Sequence, residues 1–218
     1  MMRAPSRPAL CRSFEAPTGW LELHQVPASD FVPGATSTSV SETFVRLIHE
    51  TVPAKPIRYL VLSHFHGDHS GGVAPFIAEG ATIVTTAPAR DVVKRAYPGA
   101  KFEIVDGRRA IGDETRRVEL IEVENEHVDG MLVSWVPSVK LLFVSDLFLP
   151  LGKSFPSKAE LPMNLAFIEW LDRSGLEPEI LLAIHGASRG NAEQLEILRK
   201  LAAERALERN AQHGRPSH

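Results

Sequence analysis

The chain has 218 residues, of which 44% are hydrophobic and 23% charged, and its formal net charge at pH 7 is −3. These proportions are those of a globular protein, and they exclude a disordered or fibrous chain. The longest stretch without Asp, Glu, Lys or Arg is residues 31–41, far shorter than the ~20 apolar residues of a membrane span, so a membrane is not expected as a partner. Charges of both signs are interspersed along the chain, so a nucleic acid is not expected either.

The first half of the chain predicts alternating strands and helices. Residues 1–38 have weak periodicity and many prolines, and they are interpreted as an irregular segment with one short strand over residues 20–26. Further along, apolar spacing predicts helices over residues 39–50, 73–79 and 88–97, and strands over residues 57–63 and 81–86. Such alternation predicts an α/β layered fold.

The second half predicts a different arrangement. Three short apolar runs with tight connections, residues 117–123, 131–136 and 141–145, indicate an antiparallel meander. A loop over residues 152–161, a helix over 164–173, a strand over 180–184 and an amphipathic helix over 191–209 follow. Because no linker or repeat interrupts this pattern, residues 39–210 are expected to form one domain, followed by a tail over residues 211–218.

Directly after the predicted strand 57–63 stands a cluster of three histidines and one aspartate: His64, His66, Asp68 and His69. Alternate side chains of an extended segment point to the same side, so His64 and His66 can meet one ion. Gly67 lets the chain turn and bring Asp68 and His69 towards a second ion. Imidazole nitrogen and carboxylate oxygen suit Zn²⁺, and also Fe or Mn. The alternative interpretation is a polar surface turn that caps the next helix.

Three further candidate ligands stand at the ends of later predicted strands, where loops collect functional groups. His127 lies in the loop before strand 131–136, Asp146 ends strand 141–145, and His185 ends strand 180–184. Each residue alone is more often an ordinary polar or turn residue. Their successive strand-end positions favour ligands, and Asp146 has two oxygens with which to bridge two cations.

The cluster resembles the H-x-H-x-D-H motif of the metallo-β-lactamase superfamily, and Gly71 and Gly72 follow it as they do in that family. The resemblance covers about residues 39–190, and the later family ligands correspond in order to His127, Asp146 and His185. It implies an αββα four-layer sandwich with the site at one edge. It also implies two metal sites. The first would be formed by His64, His66 and His127, and the second by Asp68, His69 and His185. Asp146 would lie between the two metals.

By this resemblance the chain is expected to be a hydrolase with two Zn²⁺ ions, Fe or Mn being alternatives. A metal-bound hydroxide, oriented by the catalytic residues Asp146 and Asp68, would attack an ester, thioester, lactone or amide bond of a small-molecule substrate. His66 stands where the diiron flavoproteins of the superfamily have Glu, which favours hydrolytic zinc over redox iron. An Asp at position 146 is unlike the true β-lactamases and similar to glyoxalase II and the lactonases.

Two alternatives stay open from the sequence. One is a mononuclear iron enzyme of the same superfamily that oxidises persulfides. The other is a truncated metal-binding protein of this fold with little activity. The family has several antiparallel strands before the helix that precedes the motif, whereas only about forty irregular residues stand there in this chain. The sequence therefore leaves open whether the N-terminal sheet is complete.

A cytoplasmic location is expected from the N-terminal residues. Cys11 is the single cysteine and has no partner for an internal disulfide, which fits a reducing compartment. The first thirteen residues lack the continuous apolar stretch of a secretory signal. The four histidines outside the candidate site are expected to be bystanders: His24, His49, His213 and His218.

Overall fold

The structure is a computed structural model that describes residues 31–33, 35–51, 55–113, 117–149, 161–185, 189–190 and 192–213. The short strand expected over residues 20–26, and nearly all of the loop expected over residues 152–161, lie outside these ranges.

The strands of the described residues form two sheets. The four-stranded sheet is parallel, in the order β1-β2-β3-β4, and contains β1 (Phe31–Pro33), β2 (Tyr59–Val61), β3 (Thr82–Thr85) and β4 (Lys101–Ile104). The six-stranded sheet, in the order β10-β9-β8-β7-β6-β5, contains β5 (Arg108–Gly112), β6 (Arg117–Val123), β7 (Met131–Val136), β8 (Leu141–Ser145), β9 (Ile180–Ala183) and β10 (Arg189–Gly190). Its neighbouring strands are antiparallel, apart from the parallel pair β8 and β9.

The helices are α1 (Thr38–Thr51), α2 (Gly67–Ser70), α3 (Val73–Ala78), α4 (Ala87–Ala96), α5 (Leu161–Ser174) and α6 (Ala192–His213). The helices expected from apolar spacing are all present, with ends that differ by a few residues. Within the described ranges, no helix combines the length and the apolar character needed to cross a bilayer.

The predicted antiparallel meander is confirmed, since β6, β7 and β8 have the predicted bounds. Two predictions were less accurate. The strand expected over residues 57–63 is limited to Tyr59–Val61, because the chain leaves the ladder to form the loop that carries the histidine cluster. Phe31–Pro33, expected to be irregular, pairs in parallel with β2 as the outer strand of its sheet. Strands β4, β5 and β10 were not predicted.

Three hydrophobic layers define an αββα sandwich, as the sequence resemblance implied. The layer between the two sheets includes Val84 of β3 and Leu132 of β7. A second layer packs the outer face of the four-stranded sheet, including Ile83, against α3 and α1. A third packs the outer face of the six-stranded sheet against α5 and α6, where Ile168 and Leu198 are buried.

Strand β7 shows why the central strands appear in the sequence as continuous apolar runs. Met131, Val133 and Trp135 face the layer formed with α5 and α6. Leu132 and Val136 alternate with them and face the other sheet. A strand that is covered on both faces needs apolar side chains at successive positions rather than at alternate ones.

The strand ends bring the two sheets together at one edge of the sandwich. Strands β8 and β9 are parallel, so the residues that follow them leave the same edge. Because β7 is antiparallel to β8, the loop that precedes β7 lies at that edge too. The amide of Leu132 in β7 donates a hydrogen bond of 2.8 Å to the carbonyl of Ser63, just beyond β2, and so joins the sheets there.

Gly72 lets the segment around α2 pack closely on the N-terminus of α1. The amide of Gly72 donates to the carbonyl of Ala35 (2.9 Å), and the amide of Ala35 donates to the carbonyl of His69 (3.0 Å). A Cβ atom at Gly72 would overlap the hydroxyl of Ser41 and the carbonyl of Ser37. This position therefore has no space for a side chain.

We expect Gly72→Ala to lower the free energy of unfolding by about 1–3 kcal/mol, because the added methyl group must displace backbone rather than a flexible side chain. Denaturant titration of the purified variant measures the change. Gly99→Ala is the matched control, since no atom lies within 4 Å of a Cβ built at Gly99. Equal stabilities of the two variants would contradict the close packing of α2 on α1.

Candidate metal centre

The structure brings together all seven side chains that were predicted from the sequence as metal ligands. They form two groups, each able to hold one ion, in which the ligand atoms lie within 4.8 Å of one another: His64, His66, His127 and Asp146 in the first, and Asp68, His69, Asp146 and His185 in the second. Asp146 belongs to both groups, so the two sites adjoin. The arrangement has the composition of a dinuclear metal centre.

The carboxylate of Asp146 lies at the middle of the cluster. Its Oδ2 is 3.1 Å from Nε2 of His69, 3.2 Å from Nε2 of His127 and 3.6 Å from Nε2 of His64. Its Oδ1 is 3.5 Å from Nε2 of His185. One carboxylate thus faces imidazoles of both groups.

Asp68 completes the outer side of the second group. Its Oδ2 is 3.1 Å from Nε2 of His185 and 3.4 Å from Nε2 of His69. The side chains of Asp68 and His185 are about half exposed, whereas that of His69 is fully buried. The cluster therefore runs from a buried floor to an edge that is open to solvent.

Three buried polar atoms of the cluster make no hydrogen bond of suitable geometry among the described residues, although other cluster atoms lie close to them: Nε2 of His64, Nε2 of His69 and Oδ1 of Asp146. Leaving a buried polar atom unpaired costs about 1–3 kcal/mol, so unpaired atoms are few in native proteins. The three atoms converge on the same small volume and include both nitrogen and carboxylate oxygen. These features fit divalent cations such as Zn²⁺, and also Fe or Mn.

The electrostatics of the cluster favour neutral imidazoles. Burial, followed by the nearby imidazole of His69, lowers the pKa of His64 to about 3, although the carboxylate of Asp146 acts in the opposite direction. Burial also lowers the pKa of His127, again against the influence of Asp146. A neutral imidazole keeps the lone pair that a metal ion needs, so both residues are ready to act as ligands at neutral pH.

Asp146 is held in its charged form. Burial alone would raise the pKa of its carboxyl group, but the hydrogen bond and electrostatic effect of the adjacent His69 imidazole, followed by the electrostatic effects of His185 and His64, outweigh burial and lower that pKa. A charged, buried carboxylate among imidazoles supplies the negative charge that two cations require.

Two serine hydroxyls connect the buried imidazoles to each other. The Oγ atoms of Ser63 and Ser145 are 2.9 Å apart. Ser63 Oγ also lies 3.1 Å from Nδ1 of His64, and Ser145 Oγ lies 3.5 Å from Nδ1 of His69. These contacts fix the rings so that each presents Nε2 to the cluster, which is how partners of ligand histidines commonly act.

The backbone at Ser145 turns Asp146 towards the site. Ser145 has a φ of 52°, in the left-handed region that residues other than glycine rarely adopt. The pairing of β8 with β9 shifts its register between Phe143 and Ser145, as at a β-bulge, so the ladder is irregular where the strand ends. Bulges re-aim side chains next to functional sites, and strain at such a position costs on the order of 1–3 kcal/mol.

His127 is positioned by a local turn rather than by a strand. The side-chain oxygen of Asn125 accepts hydrogen bonds from the amides of His127 (2.9 Å) and Val128 (3.0 Å). The amide nitrogen of the same side chain donates to the carbonyl of Val123 (2.8 Å). Asn125 therefore ties the end of β6 to the loop and holds His127 at the cluster.

Sequence reasoning did not identify Ser63, Ser145 or Asn125. Ser63 and Ser145 directly precede His64 and Asp146 in the chain, so adjacency to a candidate ligand was the available signal. The histidine expected to be a bystander on α1 does lie outside both groups: His49 is exposed, with its Nε2 2.8 Å from Oε2 of Glu79.

Solved structures of similar fold include hydrolytic and redox proteins. The metallo-beta-lactamase from Pontibacter korlensis has a TM-score of 0.64 and 18% identity over 79% of this chain and 81% of its own. The flavodiiron protein from Giardia intestinalis has a TM-score of 0.59 and 20% identity over 79% of this chain. The rubredoxin oxygen:oxidoreductase from Desulfovibrio gigas has a TM-score of 0.61 and 20% identity over 79% of this chain.

This chain spans about half the length of the two redox proteins, 48% and 50%, respectively. At such low identities the similarity establishes the fold alone. No curated protein sequence matches the chain significantly. The sequence pattern of the metallo-beta-lactamase superfamily matches residues 38–207, which include the whole candidate metal centre. The chain therefore belongs to the metallo-beta-lactamase superfamily.

Proposed function

We propose that the protein is a dinuclear metal-dependent hydrolase, with two Zn²⁺ ions, that cleaves an ester, thioester, lactone or amide bond of a small molecule. The observation that carries the proposal is the sharing of Asp146 by two adjoining ligand groups, in which three buried polar atoms are unpaired. Two divalent cations held there would supply activated water at neutral pH and polarise a substrate carbonyl.

Two aspartates and the buried histidines are proposed to have different roles in the reaction. Asp146, buried and charged, faces both ligand groups and is proposed to orient the attacking water. Asp68, about half exposed at the open edge, is proposed to contact that water from the solvent side and to take up its proton. The buried imidazoles form the floor and exclude bulk water from beneath the reacting groups.

Hydrolysis is favoured over redox chemistry by the residue at position 66. A carboxylate at this position belongs to the iron-binding pattern of the redox branch, whereas His66 contributes an imidazole to the first group. The first group then contains three imidazoles and one carboxylate, a ligand set that zinc accepts readily. In the cluster, the ring centroid of His66 lies 4.6 Å from that of His64 and 4.8 Å from that of His127.

We expect the purified protein to bind close to two zinc ions per chain and to hydrolyse at least one substrate from a panel of esters, thioesters, lactones and amides. His66→Ala should lose about one equivalent of zinc and lower kcat/KM at least about 100-fold, because the first site loses one of its imidazoles. Metal analysis and steady-state kinetics measure both. His49→Ala is the matched control, since it removes an exposed imidazole outside both groups.

Two results would contradict the proposal. Stoichiometric zinc without turnover of any substrate would indicate a metal-binding protein that is not a hydrolase. One iron per chain with oxygen uptake in the presence of a persulfide would indicate the mononuclear dioxygenase.

The serine contacts lead to a separate prediction. Ser63→Ala should weaken zinc affinity about tenfold, because His64 loses the partner that fixes its ring. Competition with a chromogenic chelator measures the affinity. Ser134→Ala, which removes a buried hydroxyl from β7 of the six-stranded sheet, should leave the zinc affinity unchanged. Equal losses in both variants would mean that the effect comes from general destabilisation.

A further inference from the structure

A cavity of about 270 Å³ lies beside the metal centre, between the segment 123–127 and one face of α5. We call it the α5 groove. His127 lines this groove and also belongs to the first ligand group, and Leu147, which directly follows Asp146, forms part of the same wall. The groove therefore adjoins the first ligand group, beside the place where the proposed function puts the reacting bond.

The wall of the α5 groove that the helix contributes is apolar. Helix α5 contributes Met163, Ala166, Phe167 and Trp170, and Phe167 is buried beneath the surface. Its volume is slightly below the roughly 300–1,000 Å³ typical of sites for drug-sized ligands. The groove thus suits a short aliphatic chain or a single ring.

The opposite wall carries negative charge. Glu124 and Glu126 are exposed and line the groove on either side of Asn125, whose side chain is engaged in holding the loop. Among the described residues, no Lys or Arg lines it. A carboxylate or phosphate on the ligand would meet repulsion here, whereas an uncharged group would not.

We propose that the α5 groove binds the uncharged apolar group attached to the scissile bond, and that Glu124 and Glu126 discriminate against substrates with an anionic group at that end. This proposal rests on the hydrolase function proposed above. It assigns the substrate class as neutral, lipophilic esters, thioesters, lactones or amides with a short chain.

Binding can be tested separately from hydrolysis with two ketones of equal length. Heptan-2-one has a terminal methyl group where 6-oxoheptanoate has a carboxylate, and neither contains a hydrolysable bond. Titrated into the zinc-loaded protein, heptan-2-one should saturably change the fluorescence of Trp170, and 6-oxoheptanoate should bind roughly threefold or more weakly, a difference that salt should reduce. Trp170→Phe should abolish the fluorescence change.

Matched variants test each wall. Glu124→Gln combined with Glu126→Gln should remove most of the preference for the neutral ketone, whereas Glu177→Gln combined with Glu193→Gln, which removes two charges outside the groove's lining, should not. Ala166→Trp should abolish ketone binding by filling the groove, and Ala166→Leu should weaken it. No fluorescence change with heptan-2-one, or equal affinity for the two ketones in the unmodified protein, would overturn the proposal.

Kinetics separate this proposal from the hydrolase function. Across p-nitrophenyl acetate, butyrate and hexanoate, kcat/KM should rise roughly two- to fourfold per added methylene group, and Ala166→Trp should flatten the series. Turnover of these esters without dependence on chain length, together with no ketone binding, would remove the groove assignment and leave the hydrolase intact. Ketone binding without turnover of any substrate would support the groove as a binding site and contradict the hydrolase function.

Discussion

The structure depends on one buried carboxylate surrounded by imidazoles. Asp146 is 6% exposed and lies within 3.6 Å of histidines that come from the segment after β2, from the loop before β7 and from the segment after β9. A carboxylate in that position is costly unless opposite charge compensates it. Burial lowers the pKa values of His64 and His127 and so keeps these two rings neutral, which leaves a buried negative charge that two divalent cations would compensate.

The need to bring histidines from several segments to Asp146 explains how the strands are arranged around the site. The edge of the sandwich must hold groups from both sheets within a few ångströms, and the backbone hydrogen bond between Leu132 and Ser63 fixes the distance between the sheets. A second link, 2.9 Å from the Thr86 hydroxyl to the Gly130 carbonyl, ties β3 to the loop before β7. Gly130 has a φ of 73°, and a Cβ atom there would lie 2.6 Å from Thr86 Oγ1, so the close approach of the sheets needs a glycine.

The candidate ligands could be predicted from the sequence because the patterns that mark them lie within short segments of the chain. Side chains alternate with period two where the chain leaves β2, and the later candidates stand at the ends of strongly apolar strands. Strands β4 and β5 were missed for the opposite reason: they carry Lys101, Glu103, Arg108 and Arg109 and are only partly buried, so their apolar pattern is weak. The contact between Ser63 and Ser145 spans 82 residues, and the α5 groove joins the segment 123–127 to a distant helix. Packing between such distant segments leaves no periodic signal in a single sequence.

The two links between the sheets stabilise the ligand geometry independently of the side chains that shape the α5 groove. The ligands depend on backbone hydrogen bonds and buried strand ends, whereas one wall of the α5 groove consists of side chains on a helix that contributes no ligand. Substitutions at Met163 or Ala166 can therefore reshape the groove while leaving the metal-binding frame intact. A frame of this kind lets a duplicated gene change what its groove accepts through changes on one helical face, without passing through an intermediate that has lost its metal-binding residues.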